Sequence, residues 1–120
     1  MIKKVAFTSY PVVDMVRARK FYEETLGFAV GSHSDAWAEY DLPGGGCFGI
    51  TTLMEGMTPS VVSGGVVAFE VDGLQELVES LRSKGVTVRM EVVETPVCHM
   101  AVLVDSEGNP FLLHQLKPKA

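Results

Sequence analysis

Apolar and polar positions fall in short blocks along this chain, and the blocks switch between a period of two and a period near 3.6. Val5 to Tyr10 is β-branched and aromatic and predicts a strand, which Pro11 ends. Asp14 is placed as a helix N-cap, and MVRARKFYEETLG follows with Met15, Ala18, Phe21, Tyr22 and Leu26 at helical spacing. Gly27 closes that helix as the residue after its last turn. Phe28 to Val30 predicts a strand, and so do Trp37 to Asp41 and Cys47 to Thr52, the last two joined by LPGGG as a hairpin-type connection. MEGMTPSVVS, Met54 to Ser63, reads as a linking loop. Beyond it GGVVAFEVDG predicts a strand, and LQELVESLRSKG a helix with Asp72 near its start and Gly85 at its end. Val86 to Glu91 and Val97 to Val104 predict strands, and the turn DSEGNP leads into a last one, Phe111 to Gln115.

The order is strand, helix, three strands, and then the same order again. VAFTSYPVVD at Val5 parallels VAFEVD at Val67, each leading into a helix. YDLPGGGCFGI at Tyr40 aligns without gaps to VDSEGNPFLLH at Val104, placing Asp41 on Asp105 and Gly44 on Gly108. The repeated order of elements is a stronger signal than the thin identity between the halves. One such unit has too few strands to stand alone, whereas two can pair their sheets into one curved core. The expectation is therefore a single α+β domain over residues 1–120, with one module about 1–60 and a second about 64–120.

Composition narrows the function. Apolar residues make up 47% and charged residues 21% of 120 residues, an ordinary globular balance. A chain this long buries about two-thirds of its unfolded surface and needs no staple. The net charge is −5 and the basic residues are scattered, which argues against nucleic acid as a partner. No apolar run approaches the roughly 18 residues of a membrane span, so no membrane partner is expected. Two cysteines, Cys47 and Cys98, and a start without a secretory signal point to free thiols in the cytoplasm.

Three stretches carry a family likeness: YPVVDMVRARKFYEETLGF from Tyr10, VVAFEVDGLQELVESLRSKGV from Val66 and DSEGNPFLLHQ from Asp105. With these the chain resembles the glyoxalase / bleomycin-resistance / extradiol-dioxygenase superfamily, also called the vicinal-oxygen-chelate superfamily. The resemblance implies two βαβββ modules whose eight strands form an incomplete barrel around a cavity, and it implies a homodimer. In the family's enzymes four His, Gln or Glu side chains on the cavity strands, two from each module, hold a metal ion with open positions for two adjacent substrate oxygens.

Carried over position by position, the family's ligand sites fall on Phe7, on Phe48 or Gly49, on Val66 and on Leu112. None of these residues can bind a metal ion. A shift by one residue brings Ala6 or Thr8, Gly65 or Val67, and Phe111 or Leu113, which does not restore a site. The resemblance thus implies the architecture without the usual metal centre, so neither a metal nor any other cofactor is expected, nor lactoylglutathione lyase activity.

Strand alternation extends the cavity set. Leu112 on the cavity face carries His114 with it, Val66 carries Ala68 and Glu70, and Phe7 carries Ser9. Trp37 or Tyr40 faces inward according to parity, and Trp37 is taken as the aromatic contact for a ligand. The expected cavity is therefore Phe7, Ser9, Trp37, Phe48, Val66, Glu70, Leu112 and His114, mostly apolar with a few polar points, as small organic ligands require. As an unpaired glutamate, Glu70 is equally well read as a solvated residue near the mouth. Cys98 and His99 are adjacent, so a strand points them apart, and Cys98 reads as a small core residue. The spacing of His33, His99, His114 and Glu70 matches no metal motif. The glycines at 44–46 lack the lysine and helix of a phosphate loop.

Two function classes follow, with a third, plainer one behind them. The first is a metal-free protein binding a small cationic or aromatic molecule, as the family's drug-sequestering members do. The second is a lyase or isomerase with a non-standard site, in which His114, Glu70 or His99 acts as acid, base or ligand. The plain one is a dimeric domain whose cavity is closed by the apolar side chains at the former ligand positions.

Overall fold

In the first half of the chain a cluster of aromatic side chains decides the packing. The computed structural model describes residues 1–118. The chain divides into two units, Met1–Pro59 and Ser60–Ala120. The first holds a three-stranded sheet of β1 (Thr8–Pro11), β2 (Trp37–Asp41) and β3 (Cys47–Thr51) in the order β1-β3-β2. β1 runs parallel to β3 and β2 antiparallel to it. Pro11 closes β1 from within rather than from outside, since an edge strand tolerates a residue without an N–H. One side of this sheet presents Tyr10, Tyr40, Phe48 and Ile50, all buried against the helix.

That helix starts where Asp14 predicts. The Asp14 Oδ1 accepts from the Arg17 N–H at 3.0 Å and caps α1 (Met15–Lys20). The expected uninterrupted helix then widens into a π-helical turn over Phe21–Thr25, with the Leu26 N–H reaching the Phe21 carbonyl at 3.0 Å. Phe21 and Tyr22, neighbours in sequence, are both buried there. The Tyr22 ring lies 5.1 Å from Phe48 and 5.8 Å from Phe28. Gly27 follows with φ 79°, and the Phe28 N–H returns to the Tyr22 carbonyl.

The strand expected at 28–30 does not form. Phe28 is instead drawn into the aromatic cluster, its ring 5.5 Å from Tyr40. Pairing with β2 begins later and irregularly. The Gly31 N–H donates to Glu39, Ser32 accepts from Glu39, and a single bridge joins His33 to Ala38. Among the described residues the chain thus forms seven strands rather than the eight expected.

The second unit contains β4 (Val67–Glu70), α2 (Leu74–Ser83), β5 (Thr87–Glu94), β6 (Cys98–Val104) and β7 (Pro110–Leu116). Its sheet runs β4-β7-β6-β5, with β4 parallel to β7 and the other pairs antiparallel. Leu74, Val78 and Leu81 are the buried stripe of α2, which packs on β5, β6 and β7. Phe69, Ala101, Leu103, Phe111 and Leu113 are buried on the matching side of the sheet. Asp72 does not cap α2. Its first N–H, on Leu74, is taken by the Gln115 Oε1 at 2.9 Å, a cap supplied by β7.

The DSEGNP turn holds itself together around a buried carboxylate. The Asp105 Oδ1 accepts from the N–H groups of Glu107 and Asn109, both at 2.8 Å, and Gly108 takes the left-handed conformation at φ 94°. Fold class is mixed α+β, with sheets of three and four strands. Among the described residues no helix is long and apolar enough to cross a membrane.

Candidate functional site

Each sheet has one side against its helix and one side free of it, and the expected site residues can be sorted by that alternation alone. In the first unit Ser9 and Glu39 both register with Gly49, and Trp37 registers with Thr51. These residues occupy the helix-free side together with Cys47. Phe48 registers with Thr8 and Tyr40, so it points the other way and is 1% exposed. Phe48 is therefore core, not cavity lining, and Gly49 is the residue that occupies this side of β3. The same parity resolves Trp37 against Tyr40, which is fully buried on the helix side.

Gly49 has a definite use. A Cβ built there would lie 2.3 Å from the Trp37 ring, so the indole rests directly on the glycine backbone. Phe7, just before β1 and 53% exposed, meets Trp37 edge-on with ring centroids 5.7 Å apart. The Trp37 Nε1 donates to the Glu39 Oε1 at 3.5 Å, and the Cys47 thiol lies 3.5 Å from the Glu39 Oε2. Burial pushes the Cys47 thiol up from its ordinary value, and acceptance of its hydrogen by Glu39 adds to this. The Cys47 thiol thus acts here as a hydrogen-bond donor to the Glu39 carboxylate. The Ser9 hydroxyl donates to the Met54 sulfur at 3.7 Å. Glu39 was not among the expected residues, although alternation names it once Trp37 is assigned to this side.

In the second unit Ala68 registers with Leu112, Glu70 with His114, and His114 with Met100. Ala68, Glu70, Leu112, His114, Met100 and Val102 therefore share the helix-free side. Val66 precedes β4 and is 46% exposed. The Glu70 Oε1 and the His114 Nδ1 are 2.5 Å apart, and the Glu70 Oε2 accepts from the Leu116 N–H at 2.8 Å. Glu70 is exposed, as the solvated reading has it, but it is not unpaired. The Leu116 N–H first, and His114 second, hold its carboxyl below the ordinary glutamate value. An ionised Glu70 can only accept, so a neutral His114 paired with it carries its proton on Nδ1. The Nε2 of His114 is then the imidazole's acceptor, and it has no partner among the described residues.

His99 does not join this pair. It registers with Gln115 and so lies on the opposite side from His114, half-buried and 3.7 Å from Glu94. Cys98 is buried, with its sulfur 3.1 Å from the Thr95 hydroxyl. Among the described residues no three His, Cys, Asp or Glu side chains converge to hold a metal ion. The positions where the family places metal ligands carry Phe7, Gly49, Val66 and Leu112, and these offer no donor atom. The residues present do not fit the family's metal.

An open groove of about 520 Å³ runs along α1 in the first unit, lined by Met15, Arg19, Lys20, Glu23, Ser34 and Asp35 among others. None of the expected site residues lines it. Its charges are partly used up internally. Arg19 forks onto both oxygens of Glu23, at 2.6 and 3.2 Å, and the Tyr40 hydroxyl donates to the Glu23 Oε2 at 3.0 Å. Arg19 first, then the Tyr40 hydroxyl, pull the Glu23 carboxyl down, while burial first and Glu23 second push the Tyr40 hydroxyl up. This cluster ties the helix to β2 and leaves little for a ligand.

Comparison with known proteins agrees with the architecture. No curated protein matches the chain. Among solved structures, an antibiotic binding protein, TnmS3, from Streptomyces sp. CB03234 is 26% identical, covers 97% of this chain and 98% of its own, and superposes with a TM-score of 0.82. A glyoxalase/bleomycin resistance protein from the same Streptomyces is 27% identical over 91% of this chain and 97% of its own, with a TM-score of 0.75. A glyoxalase/bleomycin resistance protein/dioxygenase family enzyme from Burkholderia phytofirmans PsJN shares the fold at 22% identity, with a TM-score of 0.77, 96% of this chain and 100% of its own being covered. The sequence itself matches the family over residues 4–113, nearly its whole length, and the chain belongs to the Glyoxalase/Bleomycin resistance protein/Dioxygenase superfamily.

Proposed function

We propose that this chain is a metal-free binding protein that sequesters a small, largely apolar organic molecule of the antibiotic type. The observation that carries the reading is the replacement of every expected ligand position by Phe7, Gly49, Val66 and Leu112 on sheet sides that still present aromatic and apolar groups. In the first unit a sheet side that offers Trp37 and Phe7 without a donor at Gly49 is suited to rings rather than to chelation, and in the second unit the side with Met100 and Leu112 is suited to hydrocarbon. The likeness to an antibiotic binding protein over nearly the full chain supports the same class of ligand. Glu39 adds a negative charge beside the Trp37 indole, a combination that favours a ligand with an aromatic or cationic portion. The incomplete barrel and its cavity, the cytoplasmic location and the homodimer that the family implies belong to this same proposal.

The test is a thermal-shift and calorimetric screen of aromatic and cationic antibiotics against the purified protein and its Trp37→Ala variant. A ligand that raises the Tm of the wild type by several degrees, and does so much less in the variant, is the expected result. Elemental mass spectrometry on protein purified without chelator or histidine tag checks the other half. A stoichiometric metal would overturn the metal-free reading.

A second reading, a lyase or isomerase with a non-standard site, is favoured by one observation, the contact between Glu70 and His114. A carboxylate-oriented imidazole with a free acceptor nitrogen is the arrangement of a general base. Turnover of a carbonyl substrate that disappears in His114→Gln would establish it.

A further inference from the structure

The pair Glu70–His114 constrains the ligand more closely than the apolar surroundings do. Glu70 is committed twice, to the Leu116 N–H at 2.8 Å and to the His114 Nδ1 at 2.5 Å, so its carboxylate is held from two sides and faces the Nδ1 edge of the imidazole. Around the imidazole lie Met100 and Leu112, one across the ladder and one two residues back along β7, with Ala68 opposite Leu112 and Val102 beside it. All four are apolar. The helix-free side of this sheet therefore offers the His114 Nε2 as an acceptor beside the already engaged, exposed Glu70 carboxylate, in a hydrocarbon and thioether setting.

We infer that this side of the second unit binds a hydroxylated aromatic ring, its hydroxyl donating to the His114 Nε2 and its face lying on Met100, Leu112 and Val102. This rests on the binding reading above and names the ligand class. Four physical points select the phenol. A ring hydroxyl is a donor that leaves the rest of the ligand apolar, matching the lining. The carboxylate behind the imidazole orients the ring and favours the proton on Nδ1, which leaves Nε2 to accept from an O–H. The same carboxylate repels an anionic ligand, which would sit beside a like charge. Methionine sulfur, finally, makes favourable contacts with aromatic rings.

Three probes of one size separate the possibilities: 2-naphthol, 2-methoxynaphthalene and 2-naphthoate, titrated calorimetrically against the wild type and His114→Leu. Wild type is expected to bind 2-naphthol roughly three- to tenfold more tightly than 2-methoxynaphthalene, the span of one net hydrogen bond, and 2-naphthoate least. In His114→Leu that preference is lost while 2-methoxynaphthalene binds as before, and His114→Gln, which offers an amide oxygen instead, keeps part of it. Nitrogen-15 spectra of the free wild type are expected to show the His114 proton on Nδ1. Equal binding of naphthol and its ether in the wild type, a preference that survives in His114→Leu, tighter naphthoate binding, or a proton on Nε2 would each overturn the inference while leaving the binding reading intact. Failure of all three probes to bind would also overturn the inference, while the binding reading stands or falls by the antibiotic screen with Trp37→Ala.

Discussion

Gly49 and Trp37 occupy one volume between them, which makes their relation testable. A methyl group at 49 would meet indole carbons at 2.3 and 2.7 Å, far inside contact distance. Gly49→Ala is expected to cost about 1–3 kcal/mol in chemical denaturation, the usual range for overpacking. It should also shift the fluorescence of the single tryptophan as the ring is displaced. With Trp37→Ala in the same chain the cost should largely vanish, a strong non-additivity that a double-mutant cycle would read directly. Glu23 supplies a second prediction. Its removal in Glu23→Ala strands the buried Tyr40 hydroxyl, at a cost of roughly 1–3 kcal/mol. The native carboxyl is held below its ordinary value of 4.5, so its contribution is complete above that pH and is lost as the pH falls through the lower folded value. The stability gap between wild type and Glu23→Ala should therefore narrow in acid, which denaturation curves from neutral pH down to pH 3 would show.

At the level of elements, α2 is capped from outside its own segment. Gln115→Leu removes the acceptor for the Leu74 N–H, and a loss of about 1 kcal/mol in urea denaturation is expected. That cap shows where a linear reading stops. The periodicity of Leu74, Val78 and Leu81 is written locally and locates the helix, whereas an acceptor 41 residues away is not. The other departures have the same character. Nothing local to MVRARKFYEETLG announces the π-helical turn, because it accommodates the packing of Phe21 and Tyr22 in a cluster with Phe28, Tyr40 and Phe48. Phe28 reads as a strand residue by type, and that cluster overrides its propensity. Which side of a sheet a residue takes was legible through alternation wherever a register was certain: Ser9 and Trp37 share one helix-free side, and Glu70 and His114 the other. Phe48 and Gly49 differ by one residue, and one residue exchanges the two sides of a strand. The bond between Glu70 and His114 was not legible, since it joins strands 44 residues apart.

For the whole molecule the expectations concern metal and turnover. Saturating zinc or nickel should leave the Tm unchanged, because no donor set among the described residues gives the folded state an affinity the unfolded chain lacks. Lactoylglutathione lyase activity should be absent with either metal present. Conversion of the methylglyoxal–glutathione hemithioacetal above the uncatalysed rate would contradict this. One feature of the fold reaches beyond these assays. In each unit the side chains that hold the helix and the side chains that face away from it alternate along the same strands, so the two sets mutate independently. Tyr10, Phe48, Leu103 and Leu113 can stay fixed while Ser9, Ala68, Val102 and Leu112 change. A chain built this way can acquire a new chemical preference without renegotiating its stability, and a library randomised at those four positions should remain folded in most of its members while its ligands diverge.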